Sequence, residues 1–554
     1  MGELERHRRP APVRARHTAA GPWVGRAAIA AGIQAGGLYL YLALLGVCAA
    51  LCGTLLLVNR LAVPGLSAPG FPIDDGYIYS NYVREGADGL LFHYTSSEAS
   101  GGITGLLWYF MLIPVRVVVN AMTADELVRA VAPAYLLGVP LFALFAWLTY
   151  RLGRLVLGPL LNGRALLLAG LLPVLALFAN PRMVWAAVSG LELPLSLVLV
   201  TASVYFFLLE VDKHGAFAWT ALAAGLLSWA RPDLLVIAGV LALVAAGGAL
   251  LRRWNWAGPV RVVVSVVVFA GLLVLIYLVG YGRPLPSSFY AKSLALPVAT
   301  GEAARVVVDA GFNPLRLVFR IAGNNFDSLL AVALSVAFIA VLGLALLQRK
   351  RIVAAEWRLG LLAVLVLAHF AAIAITIKGY SVQSRYVLPS WPLVAVLLAG
   401  VGILLARHRL FTRVSAAFNN RAFAWTTIGL VVALIATNTI TWSLGTYVQD
   451  VRYSYDYDLQ AGSWIRDKVP DGTPVAILNA GLVATVAADH TAWVDTAGLV
   501  SPAITDHAGN TPYVWSYLRE HNVRYSTVCW DEPWVVASPD TRNGCELDWS
   551  KYPR

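Results

Sequence analysis

Apolar residues fall in long blocks along this chain. Runs at 38–58, 127–150, 165–179, 192–209, 216–231, 233–251, 260–281, 328–347, 358–377, 386–405 and 424–444 are almost unbroken. A helix needs about 20 apolar residues to cross the hydrocarbon of a bilayer, so these blocks predict eleven spans. A further run, Ile103 to Val119, is short and carries Arg116 near its end. It predicts a helix lying along the membrane interface. After Leu444 the pattern changes to polar and aromatic residues punctuated by Gly and Pro. There TPVAILNAG and TAWVDTAGLV read as buried strands. TPYVWSYLREHNV reads as a helix leading into another strand, RYSTVCW.

Composition agrees with the pattern. The chain is 58% hydrophobic and 13% charged, against roughly 25% charged in soluble domains. Its net charge of +11 is no sign of nucleic acid, because the cations sit where cytoplasmic loops need them. They cluster in the N-terminal RHRRPAPVRAR, at Arg151/Arg154/Arg164, Arg252/Arg253/Arg261, Arg349/Lys350/Arg351 and Arg407/Arg409/Arg413. No small-residue cleavage site follows a short apolar core near the start, so the first run reads as a retained span.

With a cytoplasmic N-terminus, loops 59–126, 180–191, 282–327 and 378–385 and the C-terminal tail are expected outside. The predicted architecture is a polytopic α-helical membrane protein with about 11 spans, a juxtamembrane helix and a small C-terminal extracytoplasmic α/β domain. Its divisions are a basic arm at 1–37, a membrane domain at 38–445 and the α/β domain at 446–554. The bias toward Ala, Val, Leu, Gly and Arg suggests a bacterial plasma membrane. No nucleic-acid partner is expected.

The candidate chemistry gathers on the expected outer face. FPIDDGYIYSNY places Asp74 and Asp75 side by side, with Tyr77 and Asn81 close behind. Adjacent carboxylates repel, which raises one of a buried pair toward a useful base; a solvated turn is the alternative. HYTSSEASGG carries Glu98, SGLELPL carries Glu192, and WARPDLL carries Arg231 and Asp233. YGRPLPSSFYAKS brings Tyr290 and Lys292, and SVQSRYVLPSWP brings Arg385. Lys292 and Arg385 suit a phosphate, or snorkel as interfacial cations. Cys529 and Cys545 predict a disulfide closing a loop of about 15 residues, worth roughly 3 kcal/mol, while Cys48 and Cys52 read as packing residues. No GxxxxGK[ST], HExxH, paired CxxC or GxSxG is present, so the nucleotide, zinc and serine-hydrolase motifs are all missing.

Taken in order, these stretches resemble the GT-C superfamily of polyprenyl-phosphate-dependent glycosyltransferases. IDDGYIYSNYVREGADGLLFHYTSSEASGGITGLLW is similar to that family's first external loop. SGLELPL, ARPDLL, YGRPLPSSFYAKS and SRYVLPSWP resemble later landmarks, and the tail resembles its small external domain. The bacterial branch that includes the terminal arabinofuranosyltransferases is nearest in kind. Asn81 stands where many relatives carry Arg.

The resemblance implies inverting transfer of a sugar from a polyprenyl phosphate to an envelope glycan, lipid or protein. It makes Asp74, with Asp75, the base, and Lys292, Arg385 and Arg231 the phosphate ligands. Glu98, Tyr290, Tyr77, Asn81, Glu192 and Asp233 would position sugar or acceptor. Some relatives hold a divalent cation near the acidic pair; no other cofactor is implied. Trp464, Trp493, Trp515, Trp530, Trp534 and Trp549 could stack on an acceptor glycan or pack the core. A flippase of lipid-linked sugars and a non-catalytic glycan-binding membrane protein are the competing classes.

Overall fold

The computed structural model describes residues 22–63, 67–94, 98–161, 163–212, 216–293, 354–376, 385–407, 442–490, 492–527, 535–537 and 545–551, with single helical positions at 433, 437 and 440. The first half is a bundle of helices. In order they are α1 (Pro22–Ala62), α2 (Asp74–Ala87), α3 (Leu106–Met122), α4 (Glu126–Leu157), α5 (Gly163–Phe178), α6 (Pro181–Val188), α7 (Leu193–Val211), α8 (Ala218–Ala230), α9 (Leu235–Leu250), α10 (Ala257–Tyr281) and α11 (Ser287–Ser293). Then follow α12 (Ala354–Thr376) and α13 (Trp391–Arg407). Among the described residues, five helices are long and apolar enough to cross a membrane, or six with one bent pair counted as a single span. The chain is a multi-pass membrane protein. The expected runs at 328–347 and most of 424–444 lie outside the described residues, as do the arm at 1–21 and loop 282–327 beyond Ser293.

One expectation is revised. Residues 180–191 were expected as an external loop; most of them form a helix, α6. It starts at Pro181 with the Asn180 carboxamide accepting the Arg182 N–H, a sound N-terminal cap. Every residue of α6 is buried, and it meets α5 at 69°. Arg116, near the end of the expected interfacial helix, is buried and bonded to Glu126 at 2.6 Å, fixing α3 against the start of α4.

The C-terminal segment begins with a helical stretch running to Lys468. It contains two π segments, Ser443–Tyr447 and Ser454–Leu459, which flank α14 (Val448–Tyr453) and lead into α15 (Gln460–Lys468). A five-stranded mixed sheet follows, in the order β2-β1-β3-β5-β4. β1 (Val475–Ile477), β2 (Trp493–Asp495) and β3 (Tyr525–Ser526) are parallel. β4 (Val535–Ala537) and β5 (Cys545–Leu547) complete the sheet antiparallel. Helices α16 (Leu482–Val486), α17 (Pro502–Thr505) and α18 (Thr511–Glu520) lie between strands. The three expected strands and the helix at 511 are present; β4 and β5 were not foreseen. Cys545 is disulfide-bonded, Cys48 and Cys52 are free thiols, and Cys529 lies outside the described residues.

Trp515 sits in the small core of this unit. Trp464 packs edge-on to Tyr525 and Trp493 edge-on to His490. These three serve packing rather than an open stacking platform.

Candidate active site

The acidic pair opens α2, where the helix dipole favours negative charge. Consecutive helical residues point about 100° apart, so Asp74 and Asp75 face different neighbours. Asp74 turns toward the C-terminal unit. Its carboxylate accepts the backbone N–H of Gly481 at 2.8 Å and of Leu482 at 2.7 Å. Only glycine fits at 481, because a Cβ there would collide with the Asp74 carboxylate. Burial, then the nearby Asp458 carboxylate, push the Asp74 carboxyl well above its usual range, and the Leu482 N–H opposes them. Asp458, also buried, is pushed up to about 7.

Asp75 turns the other way, into a cavity of about 370 Å³. Its Oδ2 is 2.6 Å from Arg385 Nη1. Arg231, Glu192 and Asp233 line the same cavity. Arg231 donates to Glu192 at 3.0 Å and to both oxygens of Asp233 at 3.0 and 3.2 Å. The guanidiniums of Arg231 and Arg385 both lie over the Tyr386 ring, at 5.0 and 5.1 Å, a cation–π arrangement that holds two cations near each other. Behind Asp233, His369 Nε2 is 3.7 Å away and His369 Nδ1 is 2.6 Å from Ser390 Oγ. Apolar groups close the rest: Ile78, Leu191, Pro286, Phe289 and Leu499. A mostly apolar cleft with a few converging charges is the usual form of a ligand site.

The sequence candidates therefore divide. Asp75, Glu192, Arg231, Asp233 and Arg385 come together at the cavity. Asp74 does not line it. Tyr77 is buried, away from the cavity lining, and its hydroxyl bonds the Phe71 N–H and the Tyr455 hydroxyl. Asn81 donates to the Gly481 carbonyl and accepts from Thr485; it too docks the C-terminal unit. Glu98 is exposed and Tyr290 lies under Arg283 at 5.3 Å, both away from the cavity lining. Lys292 lies on α11, and its side chain is outside the described residues.

Sequence reading missed Tyr79, whose hydroxyl bonds the Gly105 N–H and Thr104 at the cavity wall, and also missed Tyr386, His369 and Leu499. Of these only His369 had a clear signal, an ionisable residue in the middle of an apolar run.

The acidic pair does not fit a shared divalent cation. Hard cations gather several oxygens in one place, whereas Asp74 spends both oxygens on backbone N–H groups and Asp75 faces an arginine. Among the described residues no cluster of three or more His, Cys, Asp or Glu side chains is suited to a metal.

Known proteins agree with this architecture. The chain is similar over 88% of its length to the Archaeoglobus fulgidus oligosaccharyltransferase tethered to an acceptor peptide, at 15% identity and TM-score 0.50, covering 69% of that chain. It has the GT-C fold. ArnT from Cupriavidus metallidurans, solved bound to undecaprenyl phosphate, aligns over 92% of this chain and 98% of its own at 16% identity and TM-score 0.49. Residues 445–552 match a domain of unknown function (DUF8728). A comparison with curated proteins finds no match.

Proposed function

We propose that the chain is a glycosyltransferase that moves a sugar, with inversion, from a polyprenyl phosphate to an acceptor hydroxyl at the extracytoplasmic mouth of the bundle. The observation that carries this reading is the convergence of Asp75, Arg385 and Arg231 on one largely apolar cavity in a membrane protein of the GT-C fold. A lipid-linked donor needs cations for its phosphate, a base for the acceptor and a dry space for an oxocarbenium-like transition state. The cavity offers all three.

In the reaction the acceptor oxygen attacks the anomeric carbon. The bond from that carbon to the phosphate oxygen breaks, and polyprenyl phosphate leaves with the electron pair. The acceptor proton passes to Asp75. Arg385 and Arg231 take the leaving phosphate, with Lys292 close by on α11. Arg385 bonds Asp75 in this structure, so the cation that takes the phosphate also holds the base beside it. Glu192 and Asp233 hold Arg231 in place and border the sugar.

By the resemblance of its motifs, the donor is of the arabinofuranosyl or mannosyl type and the acceptor is an envelope glycan, lipid or protein. The test is transfer of labelled sugar from decaprenyl-phosphoryl donors by purified wild-type protein and by Asp75→Asn. Wild type is expected to transfer; Asp75→Asn should lose at least about 10³-fold, within the range for removing a general base. Transfer that survives Asp75→Asn would end this reading.

A further inference from the structure

The unit that matches a domain of unknown function reaches into the cavity. Leu499 is a cavity wall, yet it belongs to the C-terminal sheet unit, far from the bundle in sequence. It sits on the turn after β2, and that turn is built around one carboxylate. Asp495 is fully buried. Its oxygens accept the N–H groups of Ala497 at 2.8 Å, Leu499 at 2.6 Å and Val500 at 2.9 Å. Its own N–H donates to Ser501 Oγ at 2.8 Å. Gly498 takes φ +73, and Thr505 Oγ1 donates to the Gly498 carbonyl at 2.8 Å. The turn is thus fixed from both sides.

The turn is also pressed onto the membrane domain. A Cβ on Gly102 would lie 2.9 Å from Val500 and 3.0 Å from the Leu499 carbonyl, so Gly102 exists to let the turn approach. Arg283 adds a bidentate pair to Asp506, at 2.6 and 2.8 Å. On the bundle side of the cavity stand Asp75, Glu192 and the two arginines; Leu499 contributes no charge and no hydrogen bond from its side chain. An apolar side chain on a fixed backbone, bordering a small cavity, acts on what occupies it by volume.

We propose that Leu499 is a specificity-determining residue that limits the size of the sugar the cavity accepts, and that Asp495 is the positioning residue that holds it. The C-terminal unit is then a wall of the active site. This inference rests on the transferase reading above.

The experiment uses full-length protein in lipid nanodiscs. Donors are decaprenyl-phosphoryl pentose, hexose and N-acetylhexosamine. Leu499→Ala is expected to raise kcat/KM for the bulkiest donor relative to the smallest at least tenfold, and Leu499→Trp to lower it at least tenfold. Asp495→Asn should move the ratio in the Ala direction through KM, with kcat within threefold. Leu499→Met, close in volume, should keep the wild-type ranking and melting temperature. An unchanged donor ranking in Ala, Trp and Asn variants that melt like wild type overturns the inference.

If wild type transfers from none of these donors, the transferase reading fails instead. The wall is then judged on binding of the same three donors. A Kd that Leu499→Trp weakens at least tenfold more for the bulkiest donor than for the smallest supports it, and an unaltered ratio rejects it.

Discussion

Asp74 and Asp75 are neighbours in sequence with the same chemistry, yet they belong to different regions of the molecule. Asp74 belongs to the seam between α2 and the C-terminal unit. Asp75 belongs to the cavity. The seam is crowded and closely hydrogen-bonded: two backbone N–H groups on Asp74, the Asn81 carboxamide on Gly481 and Thr485, and glycine where no side chain fits. The cavity side is charged, aromatic and large enough for a ligand. The comparison teaches that two adjacent carboxylates can serve different regions, one held in a seam and the other facing a cavity. A single turn of helix geometry decides which is which.

The sharpest way to break this comparison is to neutralise each carboxylate in turn. Asp75→Asn should abolish transfer assayed below melting, while the lost pair with Arg385 lowers the melting temperature as well. Asp74→Asn turns an N–H₂ toward a backbone donor and leaves that N–H unsatisfied, at roughly 1–3 kcal/mol. It should lower the melting temperature while transfer, assayed below melting, falls less than tenfold. If Asp74→Asn is as inactive as Asp75→Asn at an unchanged melting temperature, the chemistry returns to Asp74 and the division is wrong.

The seam can next be sharpened by pH. Asp458 has a carboxyl raised from 3.8 to about 7 by burial, with the Asn479 amide pulling the other way. The folded protein therefore keeps a proton between about pH 4 and 7 that the unfolded chain has lost. Stability from this group is present at the acid end of that window and declines as pH rises toward 7. Wild type should melt at a lower temperature at pH 8 than at pH 5. The ionisable groups that interact with Asp458 are Asp74 and Tyr453, and the tyrosine titrates above the window. Asp458→Asn keeps the acceptor for Asn479 and removes the titration, so its melting temperature should vary less across the same range. Equal pH dependence in both proteins would show that the shared proton is elsewhere.

Much of this was legible in the sequence, for reasons that also mark its limits. Apolar blocks report membrane helices because the hydrocarbon core imposes length and composition together. Glu192, Arg231, Asp233 and Arg385 were findable because charge at the end of an apolar run is costly and has to be used or paired. What pattern does not carry is direction and distance. Nothing in IDDG says that one aspartate faces Gly481, about four hundred residues later. Leu499 looks like any strand-end leucine until the Asp495 turn and Gly102 bring it to the cavity. Residues 180–191 read as a polar break, yet Pro181 and Asn180 start a short buried helix. Tyr77 and Asn81 were picked for their chemistry and are found bonded at the seam, since hydroxyls and carboxamides satisfy buried backbone as readily as they bind sugar.

The smallest expected effect is the cleanest check on the seam. Thr485 Oγ1 donates to Asn81 Oδ1 at 3.0 Å and also bonds the Gly481 carbonyl at 3.1 Å, all within buried surroundings. Thr485→Val keeps the shape and removes the hydroxyl. Asn81 Oδ1 then loses its donor in a site water does not reach, and an unsatisfied buried acceptor costs about 1–3 kcal/mol. The variant should melt slightly lower than wild type, with kcat and KM for lipid donor unaltered, because no atom of the seam contacts the cavity charges through this bond. Were Thr485→Val to change KM without moving the melting temperature, the seam would be transmitting to the cavity, and Asp74 and Asp75 would have to be treated as one functional unit after all.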